Sequence, residues 1–278
     1  MFRYTKLTAL REVAFWVLAL VILIPFYFLV TISLKTDQEL VTTSVVAPPA
    51  SFNLGNFASV LSATGNTNVV MGLTASITIT AATIVCLILF GSMTGYVIAR
   101  STTRLSSGTY YLFLIAIILP NQLATVPLYI GARNIGLTGS LWGMIVLYTA
   151  LLLPLAVFLY AGFFRSLGTE YEEAATIDGA SRTQIFFRIV LPLMSPATGT
   201  VAILTGLIVW NDFFTSLIFL GGSSAQTLPV TMYYYIGSLV SKWNEIFAIV
   251  IISMIPILVF YLIAQKRFIQ GFSGGLKG

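Results

Sequence analysis

Histidine is absent from the 278 residues, and Cys86 is the only cysteine. Without them the chain holds no zinc finger, haem-attachment motif, disulfide framework or Ser/His/Asp triad. No Gly-Lys dipeptide occurs either. A P-loop needs one, because backbone amides and a lysine together hold the phosphates, so the chain is not expected to hydrolyse ATP, nor to be an enzyme. No cluster of side chains at metal-ligand spacing stands out. Charge is scarce as well. Only 8% of residues are charged, against about 25% in a soluble domain.

What remains is apolar: 58% hydrophobic residues and a mean hydropathy of +0.96. A soluble fold of this size leaves much of its surface in water, so the bilayer must be the solvent. The sparse charges delimit apolar runs of about 20 residues or more, long enough to cross it. The expected fold is all-α and polytopic, a single transmembrane domain with six transmembrane helices at about 13–34, 69–99, 108–130, 140–164, 197–220 and 244–265. Residues 35–68 read as an extracytoplasmic loop, 165–196 as a cytoplasmic loop and 266–278 as a cytoplasmic tail. The first run exceeds the roughly 7–15 residues of a signal-peptide core. With both termini inside, eleven basic residues are cytoplasmic and three (Lys35, Arg133, Lys242) lie outside, accounting for all 14. This is the sorting the positive-inside rule requires. The net charge of +5 therefore reflects topology and does not indicate nucleic acid. Pro25, Pro120, Pro127, Pro154 and Pro256 lie in or near spans, where each frees a carbonyl and favours a kink.

The loop 165–196 reads as two short helices. Thr169 with Glu172, and Ser181 with Gln184, fit capping boxes, and Asp178-Gly179 supplies the turn between them. Ile185 and Ile189, like Phe186 and Val190, are paired at i,i+4 and give the second helix an apolar face. Two readings are open at this point. The pair rests on lipid headgroups, or its apolar face lies in a partner's groove.

Glu173-Ala174-Ala175, then Gly179, then Ile189-Val190-Leu191-Pro192 match the pattern EAA-x3-G-x9-I-x-L-P. This resembles the signature loop of permease subunits in binding-protein-dependent ABC importers. Trp210-Asn211-Asp212-Phe213, Trp243-Asn244 and the tail Gln270 to Gly278 extend the resemblance over nearly the whole chain, to the smaller, maltose-type permease of the carbohydrate class. The resemblance implies a multi-pass subunit of the bacterial cytoplasmic (inner) membrane, paired with a second homologous permease as a heterodimer. It further implies two ATPase subunits, which would bind the ATP and Mg, and an extracytoplasmic sugar-binding protein that delivers a sugar or oligosaccharide. It makes the two loop helices coupling helices that dock on the ATPases. Glu173 would then face the partner, Ala174 and Ala175 allow close approach, Asp178 and Gly179 form the bend, Ile189 and Leu191 are apolar contacts, and Ile185 and Pro192 complete the loop.

Candidates for a substrate path are fewer. Asp212 is the one acid expected well inside a span, where a charge faces a cavity or a partner group, unless it serves as a hydrogen-bonding group between helices. Trp210 and Asn211 beside it offer an apolar face and an amide, and Asn121 and Gln122 follow Pro120. A different class of protein, an ion-coupled secondary transporter, would normally carry relay groups within the spans. Asp212 is nearly alone there.

Overall fold

The computed structural model describes residues 6–223, 225–236 and 242–274, which contain helices and no strand. Among the described residues, four helices are long and apolar enough to cross a bilayer: α1 (Lys6–Ser33) and, in chain order, the helices over Val69–Arg100, Leu141–Ser166 and Trp243–Gly274. Two bent helix pairs bring the number to six if each makes one span.

One compact unit comprises residues up to Val70 together with Thr231–Ile255. Its helix α1 is apolar on every side, and none of its membrane window is buried within the chain. A helix of that kind has lipid or another chain as its surroundings. The stretch 35–68 carries two short helices, α2 (Asp37–Thr42) and α3 (Gly55–Ser62). Lys35 is 1% exposed and donates to Thr43 Oγ1 at 3.1 Å and to the Ser44 carbonyl at 2.7 Å. Asn56 donates to the Ser33 and Lys35 carbonyls, and Asn244 donates to Asp37 Oδ1 and Asn56 Oδ1. These bonds satisfy polar groups that burial would otherwise leave costly.

Glu39 closes a capping box with Thr36 and also accepts from the Ala50 amide at 2.8 Å. The Thr36 and Ala50 amides hold its carboxyl below the ordinary value of 4.5. A depressed carboxyl stabilises the fold above its unfolded value and loses that contribution as pH falls through its folded one. Amide exchange at Thr36 and Ala50, corrected for intrinsic rates, is therefore expected to rise once the pH drops below 4.5. Glu39→Gln should remove that pH dependence.

The second unit comprises Met71–Val230 and Pro256–Gly278. Here α4 (Val69–Arg100) carries a π-helical turn at Leu87–Gly91. The span expected over 108–130 is bent by 90° between α5 (Arg104–Ile118) and α6 (Thr125–Asn134). Pro120 has no N–H and holds Leu119 extended (φ −70°, ψ 129°), which stops the helix there. Next come α7 (Leu141–Ser166), α8 (Glu170–Ile177) and α9 (Arg182–Leu193). A 73° bend leads from α9 into α10 (Ser195–Asn211). The span expected over 197–220 is also interrupted, because α10 ends at Asn211 and α11 (Phe214–Leu220) begins after Asp212 and Phe213. A short helix α12 (Leu228–Tyr234) precedes α13 (Trp243–Gly274), which runs through most of the expected tail. Lys277 and the last residues of that tail lie outside the described residues, as do the side chains of Lys266 and Arg267.

Helices α4 and α7 form the centre of this unit. Gly91 and Gly95 bring the two backbones together: a Cβ at Gly91 would sit 2.9 Å from Ala156 Cβ, and one at Gly95 2.7 Å from Tyr160 Cβ. Small residues four apart allow such close approach in lipid, where packing, not water exclusion, joins helices.

Candidate functional site

The loop between α7 and α10 folds as two helices joined at a glycine. Helix α8 ends in a Schellman motif, with the Ala180 amide bonded to the Ala175 carbonyl and the Gly179 amide to that of Thr176. Gly179 takes φ +79°, a region open to glycine at little cost. Helix α9 begins with the Ser181–Gln184 capping box. The Thr169–Glu172 box does not form: Thr169 makes no capping bond, and its hydroxyl donates to Glu173 Oε1 at 2.7 Å.

Glu172 is engaged elsewhere. Arg100, the last residue of α4, pairs with Glu172 Oε1 at 2.7 Å, and Tyr96 donates to Oε2 at 2.7 Å. Charge-assisted bonds of this kind are stronger than a neutral cap. The same guanidinium donates to the carbonyls of Phe164 and Leu167, at the end of α7, at 3.0 Å each.

The apolar face expected to meet a partner is turned inward. Ile185, Phe186 and Val190 are buried with Ala175 in the chain's own core, and Ile189 and Leu191 pack against it. Phe186 lies 5.2 Å, centre to centre, from Tyr96. A π-helical turn at Phe186–Val190 replaces the regular i,i+4 register assumed for these residues. Exposed instead are Glu173, Ala174, Asp178, Gly179 and Pro192, together with the apolar Tyr171 and Ile177. Ile177 is 87% exposed. A groove of about 590 Å³ lies beside the loop, lined by Tyr96, Arg100, Glu172, Arg182 and Phe187 among others.

The break after α10 makes a second polar site. Asp212 Oδ2 accepts from the Tyr148 hydroxyl at 2.5 Å, and that hydroxyl lies 3.0 Å from Ser216 Oγ. Asp212 also lines a cavity of about 70 Å³ with Gln122, Thr125 and Thr215. This cavity brings Gln122 together with Asp212. It does not include Trp210, which is 9% exposed and lines a separate apolar cavity of about 330 Å³ with Ile84, Pro256 and Phe260. Asn211 spends its amide on the Leu207 carbonyl of its own helix. The side chain of Asn121 lies outside the described residues. At 70 Å³ the Asp212 cavity is far below the roughly 300 Å³ at which small-molecule pockets begin. It is at most part of a binding site. Among the described residues no three of Cys, Asp and Glu converge as a metal site would need.

Sequence reasoning missed Tyr96, Arg100 and Tyr148. Tyr96 and Arg100 stand one turn apart on one helix face, a spacing that was available as a signal. Tyr148 carries no local mark.

Comparison with known proteins agrees with this architecture. Residues 87–274 match the family described as binding-protein-dependent transport system inner membrane component. The chain is 36% identical over 263 residues to the melibiose/raffinose/stachyose import permease protein MelC of Bacillus subtilis (strain 168), covering 92% of this chain and 91% of MelC. It is 32% identical over 260 residues to the probable starch degradation products transport system permease protein AmyC of Thermoanaerobacterium thermosulfurigenes, covering 93% of each. In fold it is similar to a chain of the crystal structure of a bacterial ABC transporter involved in the import of the acidic polysaccharide alginate. The TM-score is 0.84 at 20% identity, over 96% of this chain and 100% of that one. The chain belongs to the family of inner membrane components of binding-protein-dependent transport systems.

Proposed function

We propose that this chain is one of two permease subunits of a carbohydrate ABC importer in the bacterial cytoplasmic membrane. It forms half of the path for a sugar or oligosaccharide that an extracytoplasmic binding protein delivers. The driving force comes from two separate ATPase subunits, which bind ATP and Mg. Both termini and the α8–α9 loop face the cytoplasm, and the loop docks on an ATPase. Closure of the ATPases on ATP then rocks the permeases between inward-open and outward-open states, a rigid-body form of alternating access.

The observation that carries this reading is the division of the loop. Ile185, Phe186 and Val190 of α9 are buried in the chain's own core, while Glu173, Ala174, Ile177, Asp178 and Gly179 stand exposed on a capped, compact knob. A loop resting on lipid would turn the apolar face of Ile185, Phe186 and Val190 outward as well. The sugar class is supported by the names of the similar permeases from Bacillus and Thermoanaerobacterium. In the path, Gln122 and Asp212 offer an amide and a carboxylate for sugar hydroxyls, and the second permease would supply the rest of the site.

The test is reconstitution of the chain with the products of its neighbouring genes. Uptake of a labelled sugar from a panel of α-galactosides and malto-oligosaccharides is expected to need both ATP and the external binding protein. Uptake by this chain alone on an ion gradient would reject the reading in favour of a secondary transporter.

A further inference from the structure

We infer that Arg100 is a positioning residue for energy coupling: it ties the α8–α9 loop to the ends of α4 and α7, so that loop and helices move as one body. The inference rests on the loop being the ATPase-facing element.

Arginine presents five N–H donors in a rigid plane and no acceptor. Here the Arg100 guanidinium serves three elements at once. From α4 it reaches Glu172 on α8 through Nε at 2.8 Å and Nη2 at 2.7 Å. Its Nη1 and Nη2 also take the carbonyls of Phe164 and Leu167. Those carbonyls belong to the last turn and cap of α7, where helix geometry leaves acceptors without partners and concentrates negative charge. A cation there caps α7 and holds the loop through the same group. The two side chains are 19% and 15% exposed, too enclosed to be written off as a screened surface pair.

The neighbours fix the pair further. The Tyr96 hydroxyl holds the other carboxylate oxygen, and its ring packs on Phe164 of α7 and Phe186 of α9. The two adjacent acids therefore play different parts, with Glu172 held in this clasp while Glu173 is exposed. The arginine at the end of α7 itself, Arg165, takes no part and lies over the Tyr110 ring at 4.3 Å. A push received on α8 would pass through Glu172 and Arg100 into both central helices, with no flexible link between.

The test uses the assembled complex in nanodiscs, with a reporter cysteine placed by Thr215→Cys in a Cys86→Ala background. ATP hydrolysis is measured, together with the maleimide-labelling rate at position 215 with and without ATP plus orthovanadate. Nucleotide is expected to change that rate in the reporter complex. Glu172→Gln takes the charge out of the loop's side of the clasp, leaving only a neutral amide oxygen for Arg100, but keeps the α7 cap. It is expected to retain hydrolysis while the nucleotide-dependent change falls about tenfold, the scale of losing a hydrogen bond to a charged group. Arg100→Met should do the same. Arg100→Lys should recover only part, since one ammonium cannot span a carboxylate and two carbonyls as the planar fork does. A full nucleotide response in both Glu172→Gln and Arg100→Met overturns the inference and leaves the docking reading standing. Joint loss of hydrolysis and response in both variants overturns positioning in favour of a folding role. A reporter complex with no response at all overturns the docking reading and this inference with it.

Discussion

Glu173→Lys and Gly179→Pro are each expected to abolish ATP-driven uptake while leaving membrane insertion intact. Glu173 is exposed, and its carboxylate accepts from the Thr169 hydroxyl of its own helix end. Replacing it by lysine puts a cation in the first turn of α8, which costs the helix only about 0.3–1 kcal/mol. Against a partner surface that binds the carboxylate, reversal of charge costs several kcal/mol, and about 3 kcal/mol is already two decades in binding. Gly179→Pro acts through the backbone. Proline is fixed near φ −65°, whereas Gly179 stands at +79° and donates its amide to the Thr176 carbonyl. The Schellman ending would be lost and α9 re-aimed. Gly179→Asn is the control, because asparagine tolerates the left-handed region, and it should transport nearly as well as the parent. Uptake by proteoliposomes and co-purification of the ATPase read both variants. Normal uptake by both would remove the loop from the mechanism.

The parts of this chain that could be read in advance are those whose cause is local. Helices α1, α4, α7 and α13 are visible because a bilayer demands about 20 apolar residues in sequence, and scarce charges mark their ends. Gly179 and the Ser181–Gln184 cap are visible because turns and caps are written in neighbouring residues. The bend at Pro120 is half visible: the residue announces a break, but nothing in it sets an angle of 90°. The break at Asp212 is less so, since its partner Tyr148 lies 64 positions away. Glu172 is the clearest failure. Local spacing made it a capping residue, and charge sorting made Arg100 a topology marker, yet the two are bonded across 72 positions. The i,i+4 pairs around Ile185 and Phe186 correctly indicated an apolar face. They could not indicate whether the chain's own core or a partner would cover it. Burial in a chain with 58% hydrophobic residues is a matter of which surfaces meet, and composition does not record that.

Gly95→Leu is expected to be the most damaging single change to the fold itself. A Cβ at Gly95 would meet Tyr160 Cβ at 2.7 Å and the Ala161 backbone nitrogen at 3.1 Å. A backbone atom cannot rotate away, so α4 must move off α7. Overpacking costs about 1–3 kcal/mol and occasionally more, and here three further carbons would follow the Cβ into the same space. Gly91→Ala is milder, because the nearest atom is the Ala156 methyl at 2.9 Å. The double variant Gly91→Ala with Ala156→Gly exchanges the two small residues across the contact and should recover most of the loss. Thermal melting followed by size-exclusion chromatography in detergent measures all three. Because Arg100 lies just over one turn beyond Gly95 on α4, the displaced helix would also draw the guanidinium from the Phe164 and Leu167 carbonyls. Any Gly95→Leu protein that survives purification should therefore show the weakened nucleotide response of Arg100→Met. A Gly95→Leu chain that melts with the parent would show that the close crossing of α4 and α7 does not hold this unit together.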